Sequence, residues 1–193
     1  YLPMCADPPF PAVVLRTTYG RDLGEEACNW TSRGYAFVVQ DVRGFGDSEG
    51  EANVFYADGW RAGLTDGADS VDWIQQQTWC NGQLGTAGGS ALGITQVLMA
   101  PSTGAVDGQV IIVAASNFYG NLAYQGGVWR KSLCEGWLRM LELESVEALW
   151  KSHPTYDDFW TYYNAEVEAP NITAPALHAG AWYDIFQQGT INN

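Results

Sequence analysis

Short apolar, β-branched runs alternate along this chain with segments whose apolar residues fall at helical spacing, and that alternation predicts an α/β sheet. Ala12 to Thr17 is the first strand-like run and Tyr35 to Val42 the second, bounded by Gly34 before and Arg43-Gly44-Phe45-Gly46 after. Leu64 to Gln77 carries Leu64, Ala68, Val71, Trp73 and Ile74 close to a helical period. Gln83 to Ala87 reads as a strand, Ala91 to Ala100 as a helix stopped by Pro101, and Val110 to Ala115 as a buried strand. Ala176 to Ala179, introduced by Pro175, is the last strand. From Phe118 to Glu168 the pattern changes to helical segments rich in aromatics and broken at His153-Pro154. An insertion between two strands of such a sheet folds over their carboxyl ends, where ligands bind. The expected organisation is a core in residues 1–117, a helical cap in 118–168, and the core continued in 169–193.

The run Gly85-Thr86-Ala87-Gly88-Gly89-Ser90-Ala91-Leu92-Gly93 carries the chemistry. A strand enters a turn of small residues and a helix follows at once. That elbow lifts a serine Oγ clear of the backbone so that it can attack an acyl carbon, and its tight turn needs glycines nearby. The helix N-terminus favours developing negative charge. The plain alternative is a Gly-rich strand–helix turn with an incidental serine.

Composition narrows the classes. The 193 residues are 47% hydrophobic and 16% charged, which suits one folded domain rather than a disordered chain. The 9 Trp, 10 Tyr and 7 Phe are enough for both a core and an aromatic-lined pocket. Nine basic residues against 22 acidic ones give a net charge of −13, with no basic cluster, so nucleic acid is not an expected partner. The longest strongly apolar run, Gln109 to Ala115, is too short to span a bilayer. The chain opens on Tyr1 without a leader-like segment and reads as a mature or trimmed product, either cytoplasmic or secreted. Cys5, Cys28, Cys80 and Cys134 lack metal-binding spacing and are equally compatible with disulfides or free thiols. Asp66, Asp69 and Asp72 form an acidic stripe expected to be solvated, and Asp41 and Arg43 a local charge pair holding a loop. No metal or organic cofactor is expected.

Three further stretches give a resemblance. Leu15-Arg16-Thr17-Thr18-Tyr19-Gly20-Arg21, Asp41-Val42-Arg43-Gly44-Phe45-Gly46-Asp47-Ser48-Glu49-Gly50, and Trp79-Cys80-Asn81-Gly82 leading into the elbow are similar to the cocaine esterase and X-Pro dipeptidyl-peptidase family (CocE/NonD-like). That family includes α-amino-acid ester hydrolases and glutaryl acylases. Ala179-Gly180-Ala181-Trp182-Tyr183-Asp184 resembles its acid-bearing strand end. The resemblance implies an α/β-hydrolase fold: a mostly parallel sheet, helices on both faces and a helical cap. It implies Ser90 as nucleophile, Asp184 as triad acid, and Tyr19 with the backbone N–H of Ala91 as oxyanion donors. Phe186 matches a position where esterase-like members set an aromatic against the acyl group. Tyr124 and Trp129 are further pocket residues, with plain cap packing as the alternative for all three rings.

The expected reaction is acyl transfer to water on a small-molecule ester, amide or short peptide. The resembling α-amino-acid ester hydrolases hold an ammonium with carboxylates just after the acid, whereas Ile185, Phe186 and Gln187 are uncharged. An ester substrate is therefore the first reading. An amidase, acylase or X-Pro peptidase is the second, and a catalytically silent fragment lacking its base the third. A triad needs an imidazole, and the chain has only His153, in the cap, and His178, on the strand six residues before Asp184. Neither position suits the base. In the resembling family it follows the acid, so a missing C-terminal segment or a second chain is expected to supply it.

Overall fold

Alternate residues of the first apolar run face opposite layers. In the computed structural model, which describes residues 1–193, that run is strand β1 (Phe10–Thr17). Ala12 and Val14 pack towards Val71 and Ile74 of helix α2 (Asp66–Gln75), while Val13 and Leu15 pack towards Ala27 of helix α1 (Gly24–Thr31). A strand buried on both faces belongs in a parallel sheet covered by helices on each side. β1 pairs in parallel with β2 (Ala36–Asp41) on one edge and β3 (Cys80–Gly89) on the other. β3 is followed by helix α3 (Ala91–Met99) and then β4 (Gly108–Ile112), and β7 (Ala176–Ala179) closes the set. The order is β2-β1-β3-β4-β7, with every pair parallel. The chain reverses direction across the sheet between β1 and β3, the switch point at which such sheets bind ligands.

The α/β-hydrolase expectation holds, with differences in the elements. β3 is longer than its apolar stretch because Cys80 pairs with Phe10 at one end and Gly88-Gly89 continue beside Ile111-Ile112 at the other. β4 stops at Ile112 because Val113 turns to φ 45°. Helix α1 and a short helix α7 (Gln187–Asn192) were not anticipated: Ala27 and Gly189 are their only buried residues, so neither shows an apolar stripe.

Residues 118–168 are not wholly helical. A π-helical segment (Phe118–Ala123) leads into a hairpin of β5 (Tyr124–Gln125) and β6 (Val128–Trp129). Gly126 and Gly127 turn it at φ 62° and 81°, the positive-φ pair that two-residue hairpins require. Helices α4 (Lys131–Met140), α5 (Glu144–Ser152) and α6 (Asp158–Thr161) follow. Phe118, Leu138, Trp150, Trp160 and Tyr163 are completely buried here, in one cluster with Ile94 and Leu98 of α3. The insertion thus shares its core with the sheet.

Charged groups correct two expectations. Asp41 and Arg43 do not pair with each other. Asp41 points into the Gly46 turn and takes Arg21 at 3.1 Å, while Arg43 faces outward and grips Asp66 with two hydrogen bonds of 2.8 and 2.6 Å. Asp66 is therefore bound rather than solvated. Deeper in, Arg16 of β1, 4% exposed, forms an ion pair with Asp58, 3% exposed, and donates to Gln40 at 2.8 Å. Burial pushes the Asp58 carboxyl up, against the opposing pull of Arg16. This pair ties the 42–65 loop to β1. All four cysteines are free, and burial raises the Cys134 thiol to about 12.

Candidate active site

Ser90 is the residue between β3 and α3, with φ 55° and ψ −123°, a conformation in which a non-glycine residue is strained. Its N–H donates to Ile112 O at 2.9 Å, and its own carbonyl accepts from Gly93 and Ile94, each at 2.9 Å. The backbone is thus held on both sides while the side chain is exposed. Two glycines make the elbow possible. A Cβ on Gly88, which has φ 149°, would lie 2.6 Å from Leu92 Cβ, and one on Gly93 would lie 2.8 Å from Ala114 Cβ. Gly93 is therefore needed where α3 crosses close to the chain beyond β4, which accounts for a glycine three places after the serine.

Three of the sequence-predicted residues lie beyond the carboxyl ends of strands in the one sheet. Tyr19 follows β1, Ser90 follows β3 and Asp184 follows β7, all at carboxyl ends of parallel strands. Ala91 is the first residue of α3. No carbonyl of that helix lies four residues before it, so its N–H is an orphan donor at the positive end of the helix. Tyr19 is 49% exposed, and its hydroxyl oxygen accepts from the Trp137 indole N–H at 3.0 Å. One oxygen of Asp184, Oδ2, is buried with no donor.

Two of the three rings sit deeper, and Trp129 is half-buried. Phe186 is 4% and Tyr124 6% exposed, both in the main core cluster. Tyr124 lies against Tyr119 and Trp129, each at 5.1 Å between centroids, and the Trp129 indole donates to Glu135 at 3.3 Å.

Neither histidine is hydrogen-bonded to Ser90. His153 Nδ1 contacts Asp157 at 2.7 Å, and its ring stacks on Phe159 at 4.3 Å. His178 pairs with Ile111 in the sheet, and its side chain enters a cavity of about 490 Å³ with Val97, Ala100 and Gln109, on the α3 side. Its Nδ1 is buried without a partner, and burial lowers its pKa.

Sequence reasoning missed two residues that join the insertion to this end of the sheet. Trp137 reaches Tyr19, and Arg130 donates to Ile185 O at 3.1 Å, beside Asp184. No periodicity marks either one; only the aromatic richness of the segment pointed towards Trp137.

The model of the X-Pro dipeptidyl-peptidase (S15 family) matches residues 1–148. Cocaine esterase of Rhodococcus sp. (strain MB1 Bresler) is 38% identical over 98 residues, 47% of this chain and 16% of that protein. A CocE/NonD family hydrolase from Staphylococcus aureus superposes with a TM-score of 0.84 at 21% identity, covering 96% of this chain and 38% of the other. An aminopeptidase from a marine sediment Thaumarchaeota archaeon gives a TM-score of 0.71 at 20% identity, covering 98% and 42%. At such identities the two structures share the fold. The chain spans less than a fifth of the esterase, 16% of its length, and about two fifths of either solved chain.

Proposed function

Because this chain belongs to the X-Pro dipeptidyl-peptidase (S15) family, we propose that it is the nucleophile-bearing part of a serine hydrolase that cleaves a carboxylic ester through an acyl-enzyme. The observation that carries this reading is the Ser90 elbow: a strained, exposed serine at the head of α3, on the switch-point edge of the sheet. Ser90 Oγ attacks the acyl carbon and loses its proton to an imidazole. The oxyanion that forms is held by the Ala91 N–H and the Tyr19 hydroxyl, and the imidazolium then protonates the departing alcohol. Water repeats the sequence on the acyl-enzyme and frees the acid.

Asp184 is the group that orients the imidazole, and its buried, donorless Oδ2 supports that role. The imidazole itself is assigned to polypeptide outside residues 1–193, since His153 is engaged with Asp157 and Phe159 and His178 lies in the cavity on the α3 side. Residues 1–117 and 169–193 act as the core and 118–168 as the cap. The buried Phe186 and Tyr124 back the acyl pocket rather than line its mouth, and the half-buried Trp129 packs beside Tyr124.

Uncharged Ile185, Phe186 and Gln187 after the acid, and the 38% identity to a cocaine esterase, favour an ester without a required ammonium group. The family description favours the second reading, release of an X-Pro dipeptide. A fluorophosphonate added to the protein together with the polypeptide that supplies the imidazole should attach to Ser90, and an aryl ester should turn over faster than a dipeptidyl-Pro amide. A label mapping to another residue overturns the nucleophile; a faster amide transfers the assignment to the second reading.

A further inference from the structure

We propose that Trp137, on cap helix α4, is the positioning residue that aims the Tyr19 hydroxyl at the oxyanion; this rests on Tyr19 being an oxyanion donor. The Trp137 indole N–H lies 3.0 Å from Tyr19 Oη, across 118 positions of sequence. An indole can only donate, so the phenol oxygen must accept. With one side of that oxygen occupied, the phenol's own O–H points elsewhere, and it has no acceptor within the chain. A hydroxyl that accepts one hydrogen bond also donates more strongly in a second. The indole N–H therefore both directs the Tyr19 proton and strengthens it as a donor.

Tyr19 needs such a hold. It is 49% exposed on a turn beyond β1, and a half-exposed phenol is otherwise free to rotate. Trp137 is itself fixed from the core side. Phe55 stacks on it at 5.9 Å between centroids and 26° between planes, and Phe55 meets Phe118 edge-on at 5.7 Å. Phe55 has φ 60° and is held by the Asp58 N–H donating to its carbonyl at 3.1 Å. The hold on the oxyanion donor thus runs from the buried Asp58, through Phe55, to an indole of the insertion.

The test is a double-mutant cycle, in the protein together with the polypeptide that supplies the imidazole, with Trp137→Phe, which keeps a stacking ring and deletes the N–H, and Tyr19→Phe. Tyr19→Phe should lower kcat roughly 10²- to 10³-fold, the effect of one lost oxyanion donor, with KM little changed. Trp137→Phe should lower kcat roughly five- to tenfold, the worth of one hydrogen bond, again with KM little changed. In the Tyr19→Phe background the same change should cost less than twofold, because its target is gone. The rate of fluorophosphonate labelling, which places a phosphoryl oxygen in the same hole, should follow the same pattern. If Tyr19→Phe leaves kcat unchanged, the oxyanion reading itself fails. If Tyr19→Phe is slow but Trp137→Phe has no effect, raises KM alone, or costs the same in both backgrounds, Trp137 is a packing or pocket residue and the proposal fails.

Discussion

If Ser90 is the nucleophile proposed above, replacing it with alanine should lower kcat by about a million-fold, the usual loss when a triad nucleophile is removed. The protein stays folded, and its stability changes by no more than about 0.5 kcal/mol. The two halves of this expectation have separate causes. The Ser90 hydroxyl makes no hydrogen bond in the resting structure, so its removal leaves no partner unsatisfied. The backbone bonds at Ile112, Gly93 and Ile94 that hold the elbow do not depend on the side chain. Alanine at φ 55° bears the same backbone strain as serine, whereas Ser90→Gly relieves it and should stabilise the chain by about 1 kcal/mol. Steady-state ester hydrolysis and urea unfolding of the two variants measure both effects. A Ser90→Ala protein with a tenth of the original turnover, or one still labelled by a fluorophosphonate, shows that the nucleophile lies elsewhere.

Replacing Arg16 with methionine destabilises the protein by about 3–5 kcal/mol, because Asp58 is then left buried without its cation. The Asp58 carboxyl is already pushed up by burial even with Arg16 beside it, so the ionised pair gains little over an uncharged one. Arg16→Met combined with Asp58→Leu should therefore recover most of the loss, since well-packed apolar residues often replace a buried pair at no net cost. Chemical denaturation of the two single variants and the double variant distinguishes the cases. Equal, small losses in all three would mean that the pair is solvated in solution. The single change should also slow turnover beyond its effect on stability, because Asp58 anchors Phe55 and Phe55 supports Trp137.

The strands and the elbow were legible because local rules produce them. β-branched runs bury on both faces, and only small residues permit the close approach at Gly88 and Gly93. Helix α1 escaped because only Ala27 of it is buried, so no stripe appears in the sequence. The β5–β6 hairpin was visible only in its Gly126-Gly127 turn, since two-residue strands leave no alternation to read. The partners of Asp41 and Arg43 were misjudged for another reason. Neighbours in sequence invite pairing, but each side chain has a partner from elsewhere in the chain, Arg21 for Asp41 and Asp66 for Arg43. The contacts Trp137–Tyr19 and Arg16–Asp58 join residues far apart along the chain, and no sequence period encodes them.

The position of β1 between β2 and β3 bears on the order in which the molecule assembles. Ala12 meets Ala36 on one side through a short α1 crossover, but meets Leu84 on the other only after a much longer excursion. Closing the longer loop costs more chain entropy and is slower. The β1–α1–β2 unit should therefore form first, and the strained serine turn should take shape only when β3 docks. Under mildly destabilising conditions the same hierarchy should appear in reverse. Backbone amides of β3 and the start of α3 would exchange with deuterium before those joining β1 to β2, so the serine elbow would be lost while two of the five strands still stand.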